Sequence, residues 1–325
     1  MSSRTLSSAF VKAGYAAVAA LVAVIAILPL FPSPGVTYAM GLILQIMLFV
    51  YLAQAWNIAG GFAGLFSLGH SAFFGLGAYS YAIGVAKYGL DPVICFVIGS
   101  LLAAGLGVVT AVISTRLSGM FFAMVTLGLN EILLNLASQL TWLTNGDAGT
   151  YLRKQFIVSA GTAYYLFLVL CIAIFALAAL VRHSKLGTIC VAVKENEAFA
   201  RALGINPAPW KIAAVVISAV ATAIGGGFFA MYQGIVMPTM VFTFSISIKM
   251  LIVAMIGGLG TLWGPLVGAF LVLFDELVRA SLGSTFGGIS LIAYGAILIF
   301  SALFLPKGIM EAVRRHIKDR NARHG

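Results

Sequence analysis

The residues best placed to do chemistry lie in the otherwise apolar run 119–141. Gly128, Glu131, Asn135 and Gln139 recur there at steps of three or four, so they share one face of a helix. A carboxylate and two amides within an apolar run are costly to expose to lipid and are candidates for function by default. This stripe predicts either hydrogen bonds that hold helices together or the lining of a path for a polar solute.

Covalent and metal chemistry find little support elsewhere in the sequence. The cysteines, Cys95, Cys171 and Cys190, show no CxxC spacing, and the four histidines form no HExxH or other metal-ligand pattern. A GxxxxGK[ST] phosphate-binding loop does not occur either. We therefore expect no enzymatic activity, no metal site and no cofactor in this chain, and any ATP hydrolysis would belong to another subunit.

The elements that must position these residues are membrane-spanning helices. The chain is 62% hydrophobic and 9% charged, whereas a soluble domain needs far more polar surface. A bilayer crossing takes about 20 residues. Ten apolar runs approach this length, at 13–31, 38–59, 65–86, 92–115, 119–141, 162–181, 212–233, 243–258, 262–281 and 285–305. Because 243–258 is short and contains Lys249, we predict an all-α, polytopic membrane protein with eight to ten crossings, some broken or re-entrant, in one domain over 1–325.

The positive charges predict the orientation of these segments. We expect the first run to be retained as a helix, because no small-residue cleavage pattern precedes Pro32. With both termini cytoplasmic, only four Lys or Arg residues fall on the outer side, namely Lys87, Arg153, Lys154 and Arg279. The inner residues include a basic tail at 306–325. The net charge of +10 therefore indicates topology and contact with anionic lipid headgroups, not nucleic-acid binding.

Glycines are concentrated in the stretch 60–84, GGFAGLFSLGHSAFFGLGAYSYAIG. Small residues at such spacing allow helices to pack closely. Alternatively, the chain unwinds before His70 and its freed peptide groups line a cavity. A second glycine-rich run at 255–270 has the same character, so both interpretations extend to it.

A charged island interrupts the apolar sequence at 182–211. It holds five Lys or Arg and two Glu, and apolar residues recur through it at helical intervals, at Leu186, Ile189, Val193, Ala200 and Leu203. Gly204 suits a helix C-terminus and Pro207 prevents continuation. The pattern predicts a surface helix or a bent pair of helices. It fits a helix lying on headgroups or one that docks a cytoplasmic partner.

Four blocks of the sequence resemble a known family. They occur in order between residues 40 and 310 and read GLFSLGHSAFFGLGAY, LGTICVAVKENEAFARALGINPAPWKIAAVVISAVATAIGGGFFAMY, IGGLGTLWGPLVGAF and LFLPKGI. Together they look like the membrane permease subunits of branched-chain amino acid ABC importers, and they are more similar to the longer of the two sister permeases.

The resemblance implies an ATP-driven importer in a bacterial inner membrane. This chain and a sister permease would form the path, two cytoplasmic ABC ATPase subunits would bind ATP and Mg²⁺, and an extracytoplasmic solute-binding protein would deliver the amino acid. Urea or short-chain amide importers share the glycine blocks, so these solutes are the alternative substrates. An ion-coupled secondary transporter, with Glu131 as an ion or proton site, is the rival function.

The resemblance also implies roles for individual residues. KENEAFARALGIN matches the coupling loop of the family, although no Leu-Pro ending follows, and its expected ATPase contacts are Lys194, Glu195, Asn196, Glu197, Arg201 and Gly204. Lys249 departs from a segment that the family usually keeps apolar. Side-chain chemistry, rather than the resemblance, suggests a translocation path with apolar walls and sparse polar groups, lined by Asn57, His70, Phe73, Phe74, Glu131 and Asn135.

Overall fold

The structure is a computed structural model that describes residues 34–115, 117, 119–269 and the single positions 29 and 308. The predicted spans 13–31 and 285–305, most of 262–281 and the basic tail lie outside the described residues. Thirteen helical elements, twelve α-helices and one π-helical turn, can be traced in chain order within the described ranges, apart from the 3₁₀ turns.

The helices have the following bounds. They are α1 Pro34–Asn57, α2 His70–Ala86, α3 Pro92–Ser114, α4 Met120–Gln139, α5 Thr141–Thr144, α6 Ala160–His183, α7 Lys185–Glu195, α8 Glu197–Ala202, α9 Ala208–Gln233, α10 Pro238–Val241, α11 Phe244–Gly257 and α12 Gly264–Gly268, with a π-helical turn at Ile58–Phe62 after α1. Counting that turn gives the thirteen. Strands β1 Thr150–Tyr151 and β2 Ile235–Val236 pair antiparallel, and 3₁₀ turns lie at Gly146–Ala148 and Lys154–Phe156.

The long helices agree with six of the seven predicted membrane spans that lie within the described ranges; the span 65–86 is not among them, because its helix α2 begins only at His70. Six helical stretches in the described part of the chain are long and apolar enough to cross a membrane. The predicted run 243–258 is helical, and together with α10 it forms one of these six, Pro238–Gly257. The all-α polytopic class is therefore confirmed, whereas the predicted total of ten includes runs outside the described residues.

Local chemistry explains where the helices begin and end. Asp91 precedes α3 and accepts a hydrogen bond from the Val93 amide at 2.8 Å, with Pro92 as the first helical residue. At its C-terminus, α9 ends at Gln233 and is capped by Gly234, whose φ of +75° suits the left-handed conformation of a cap. Such caps reproduce the predicted boundaries of both helices to within four residues.

The core is built around α2, which packs against α9 and α3. A Cβ atom on Gly77 would overlap the Ala223 carbonyl, and one on Gly226 would overlap the Phe74 carbonyl. The backbones of α2 and α9 therefore touch directly, which confirms the close-packing interpretation for this part of the glycine stretch. Although α2 has 17 residues, most of them are buried, so protein rather than lipid surrounds it.

The chain between the π turn and α2 is not helical. Here side chains satisfy backbone groups: Trp56 Nε1 donates to the Ser67 carbonyl at 2.9 Å, and the Leu68 amide donates to Thr126 Oγ1 at 3.1 Å. Irregular backbone at membrane depth is tolerated only where protein or a cavity covers it. The predicted unwinding before His70 is therefore confirmed for residues 63–69, and close packing for the residues that follow, whereas a cavity lined by freed peptide groups stays a prediction.

Candidate functional site: a coupling segment and an outward-facing polar helix

The polar stripe on α4 faces away from the rest of the described chain. All four of its residues are exposed, and Asn135 Nδ2 donates to the Glu131 carbonyl of its own helix at 2.8 Å. Only 22% of the apolar window of α4 is buried, compared with 61% for the window that includes α1. The stripe therefore does not hold the described helices together.

Asn130, beside the stripe, is the residue that ties α4 to its neighbours. It is fully buried, and its Nδ2 donates to the Phe242 carbonyl at 2.6 Å while its Oδ1 accepts from Ser71 Oγ at 2.8 Å. Ser247 Oγ completes the network at 2.8 Å from both Ser71 Oγ and the Ser71 amide. Sequence reasoning missed this network. The signal in the sequence was weak, because Ser71, Asn130 and Ser247 are single polar residues in three different apolar runs and do not share a helix face.

His70 lies in the core at the beginning of α2. Its Nε2 is 2.8 Å from Ser218 Oγ, and Ser218 Oγ donates its proton to the Ala55 carbonyl at 2.7 Å. Because a hydroxyl has one proton, His70 must donate through Nε2, which leaves Nδ1 as a buried acceptor without a partner among the described residues. Phe73 packs edge-on against this ring at 5.3 Å between centroids.

Phe73 and Phe74, predicted as walls of one path, face different places. Phe73 packs in a small buried cluster with Ala103, Ala219 and Ala223. Phe74 instead lines a cavity of about 410 Å³ enclosed mainly by α1, α6, α9 and α11. The polar side chains of that cavity include Gln45, Gln233 and Lys249, and the Lys249 ammonium lies 5.3 Å from the centroid of the Phe49 ring.

Asn57 joins the two glycine-rich breaks. Its Nδ2 donates to the Thr261 carbonyl and its Oδ1 accepts from the Gly260 amide, both at 2.9 Å. Gly61 lies directly against this junction, where a side chain would overlap the Asn57 amide. Gly260 adopts φ +74°, which a residue with a Cβ adopts with strain. Asn57 is thus buried, with both ends of its amide used to hold the chain.

Replacing Asn57 with alanine should destabilise the protein by about 2–4 kcal/mol, because a buried donor and a buried acceptor lose their partner. Thermal unfolding in detergent would measure this as a lower Tm. Gln139→Ala, which truncates an exposed amide, is the control and should leave the Tm unchanged. An unchanged Tm for Asn57→Ala would show that the junction does not stabilise the fold.

The charged island folds as a bent pair of helices, α7 and α8. Asn196 separates them in an extended conformation, and its Oδ1 caps α8 by accepting from the Phe199 amide at 2.9 Å. Gly204 adopts φ +81° just after α8, and the Ile205 amide returns to the Ala200 carbonyl at 3.1 Å. The bent pair and the termination near Gly204 are both as predicted. We call residues 185–204 the coupling segment.

Glu197 fastens the coupling segment to α9. One carboxylate oxygen lies 2.8 Å from Arg201 Nη2 and the other 2.7 Å from Lys211 Nζ, whose side chain is only 9% exposed. Burial raises the pKa of Glu197, but hydrogen bonds from Lys211 and Arg201 outweigh that effect and hold it below its ordinary value. This carboxylate is therefore engaged within the chain, whereas Glu195 and Asn196 beside it are exposed.

An apolar pair projects from the same segment. Phe199 is 63% exposed and Leu203 is 66% exposed, and the two are four residues apart, so they lie side by side. Neither belongs to a stretch that could cross the membrane. Of the apolar residues that recur at helical intervals, Val193 and Ala200 are buried, whereas Leu203 is exposed. Sequence reasoning did not single out Phe199. An exposed apolar pair bordered by Arg201 and Glu195 is suited to insertion into a groove of another protein.

Lys194, unlike Phe199 and Leu203, contacts another part of this chain. Its Nζ donates to the Gly61 carbonyl in the π turn at 3.0 Å. Burial lowers the pKa of Lys194, and nearby Arg182 acts in the same direction while Glu195 opposes it. Of the six residues predicted to contact an ATPase, four have hydrogen-bond partners inside this chain, namely Lys194, Asn196, Glu197 and Arg201. All of the six except the half-buried Glu197 are exposed.

Comparison with known proteins gives the family. A family model described as branched-chain amino acid transport system / permease component matches residues 38–302. The chain belongs to this family. The resemblance seen in the four sequence blocks is therefore confirmed, and the chain is a multi-pass membrane protein and a transport component.

Individual members of the permease family are similar over different lengths. The high-affinity branched-chain amino acid transport system permease protein LivM of Escherichia coli (strain K12) is 29% identical over 85% of this chain and 70% of its own length. LivH of the same organism is 28% identical over 43% of this chain and 44% of its own. BraD of Pseudomonas aeruginosa is 30% identical over 45% of this chain and 46% of its own length. No solved structure matches.

Proposed function

We propose that this chain is a permease subunit of an ATP-driven importer for branched-chain or other hydrophobic amino acids. The family match over residues 38–302 carries the proposal. A sister permease, two cytoplasmic ATPases that bind ATP and Mg²⁺, and an extracytoplasmic solute-binding protein complete the importer, which lies in a bacterial inner membrane with both termini of the chain cytoplasmic. The chain itself needs no catalytic residue and no cofactor.

The path for the amino acid lies along the exposed stripe of α4, between this chain and the sister permease. Glu131 and Asn135 support this assignment because polar side chains within a membrane span must meet water or protein, and these two point away from the chain's own core. Asn57, His70 and Phe73 are buried and hold the helices that surround the path. Phe74 contributes to the adjoining cavity.

Transport follows from differential binding of the ATPases to two states of the permease. ATP binding brings the ATPases together, and the coupling segment moves with them. The work that the ATPases can do on the transmembrane helices is limited by the difference between their affinities for the outward-open and the inward-open state of the permease. The exposed pair Phe199 and Leu203 is the apolar anchor of that contact, and Lys185, Glu195 and Arg201 provide charges around it.

Reconstituted uptake tests the proposed function. Proteoliposomes that contain this permease, its sister, the ATPases and the binding protein should accumulate radiolabelled leucine only when ATP is present. Radiolabelled urea should not accumulate. Urea uptake instead of leucine uptake would indicate the amide importer, and leucine uptake that persists without ATP on an ion gradient would indicate a secondary transporter.

The anchor can be tested with Phe199→Ser combined with Leu203→Ser. We expect at least a tenfold loss of affinity for the ATPases, which corresponds to about 1.4 kcal/mol, because two apolar side chains no longer bury surface on binding. The Tm should not fall, since both are exposed. Tyr151→Ser, which alters a 64% exposed aromatic residue in β1, is the matched control. Unchanged co-purification of the ATPases with the double variant would contradict the docking role.

A further inference from the structure

Lys194 caps a helix to which it does not belong. The Gly61 carbonyl lies in the π turn that ends α1, where carbonyl groups have no partner within the helix. A cation donating to such a carbonyl also interacts favourably with the helix dipole. The Lys194 bond of 3.0 Å therefore joins the coupling segment to the end of a core helix. Arg182 lies over the Phe62 ring of the same turn, 5.7 Å from its centroid.

The space for this side chain is formed by glycines from both breaks. A Cβ atom on Gly64 would lie 2.8 Å from Lys194 Cγ, and one on Gly260 would lie 3.7 Å from Lys194 Nζ. The lysine stem thus packs against Gly64, while its ammonium reaches the point where the π turn and the loop before α12 meet. Any larger residue at Gly64 would displace the stem.

This single contact reaches both glycine-rich breaks. Asn57, at the last residue of α1, holds Gly260 and Thr261 with two hydrogen bonds, so the π turn and the second glycine run form one unit. The π turn leads to α2 at the centre of the core, and the second glycine run leads to α12. Single π-helical turns are rare and are frequently found at functional sites. A displacement of Gly61 would therefore be passed to both breaks.

The geometry points to Lys194 as a positioning residue that transmits movement of the coupling segment to the glycine breaks, and not as a contact for the ATPase. This inference rests on the proposed function and adds a separate step to it. Phe199 and Leu203 bind the partner, and Lys194 converts the movement of the bound segment into a movement of the π turn. Binding and coupling are therefore separable in this chain.

Lys194→Met tests the inference, because methionine keeps an unbranched stem beside Gly64 and removes the ammonium. In the full complex we expect the ATPases to co-purify normally and to hydrolyse ATP, while leucine uptake per ATP hydrolysed falls at least tenfold. Lys194→Arg, which still donates to the carbonyl, should recover part of that ratio. Lys154→Met removes an exposed lysine outside the coupling segment and should leave the ratio unchanged.

Each outcome distinguishes the inference from the proposed function. Loss of ATPase binding in Lys194→Met would make Lys194 a docking contact and overturn the inference. A normal ratio of uptake to hydrolysis would also overturn it. Absence of ATP-dependent leucine uptake in the wild-type complex would instead contradict the proposed function.

A measurement on the unmodified complex covers the case in which the methionine variant does not fold. Hydrogen exchange of residues 58–65 should change when ATP binds to the ATPases, because the coupling segment then displaces the Gly61 carbonyl. The Leu65 amide, which donates to the Ala59 carbonyl at 3.1 Å, is a direct reporter of that turn. Identical exchange with and without ATP would overturn the inference.

Discussion

Replacing Glu197 with lysine is expected to reduce ATP-driven uptake at least tenfold and to lower the Tm. The substitution would place a third cation beside Lys211, whose side chain is 9% exposed, and beside Arg201. Breaking an ion pair while one partner stays buried costs about 3–5 kcal/mol. Because the Glu197 side chain is 34% exposed, solvent screening reduces this, and we expect about 1–3 kcal/mol. Uptake, co-purification of the ATPases and thermal unfolding measure the effect.

Glu195→Lys is the matched control for stability, because it makes the same change of charge at an exposed residue of α7 and should not change the Tm. Glu197→Gln should give an intermediate effect, since the amide oxygen still accepts one hydrogen bond. Normal uptake and a normal Tm in Glu197→Lys would show that the carboxylate does not hold the coupling segment on α9.

The ion pair also predicts a pH dependence. The folded-state pKa of Glu197 lies below its ordinary value. Its stabilisation is therefore complete above the unfolded-state pKa of about 4.3 and is lost as the pH falls through the lower folded-state pKa. The acid dependence of the Tm should be weaker in Glu197→Gln than in the wild type over this range. An identical dependence would contradict the contribution of Glu197.

The second large effect is expected on α4. Glu131→Leu combined with Asn135→Leu should lower leucine uptake at least tenfold without lowering the Tm, because both side chains are exposed and make no bond to another described helix. ATPase binding should also be unchanged, since Glu131 and Asn135 lie outside the coupling segment. Uptake by reconstituted protein at matched amounts of permease separates transport from expression.

The control on a neighbouring helix is Leu101→Ala, which truncates a 66% exposed apolar residue of α3 and should transport normally. Normal uptake per molecule in the α4 double variant would remove the stripe from the path. In that case Glu131 and Asn135 would contact the sister permease for assembly alone, and weaker association of the two permeases would be the only change.

Features that depend on neighbours in the chain were predictable from the sequence. Hydropathy located the spans, and Asp91 and Gly234 lie at the boundaries of α3 and α9 because caps act on the adjacent turn. The bend of the charged island at Asn196 and its end at Gly204 have the same local origin. Helical spacing also showed that Glu131 and Asn135 share a face.

The direction in which such a face points was decided only by the tertiary structure. Moving one residue from Glu131 to Asn130 turns the side chain by about 100° around the helix, and this takes it from the surface to the centre of a buried network. Periodicity relates residues within one helix, but the rotation of that helix against its neighbours depends on how all of them pack.

The sequence by itself thus determined a polytopic helical membrane protein with a charged island, because composition and local periodicity are written along the chain, and its four blocks resembled the permease family. The tertiary structure decided which residues of that island face outward. It directs Lys194 to Gly61 and Glu197 to Lys211, and leaves Phe199 exposed. Lys194 and Gly61 are 133 positions apart, and a contact over such a separation is set by the packing of helices rather than by any local pattern.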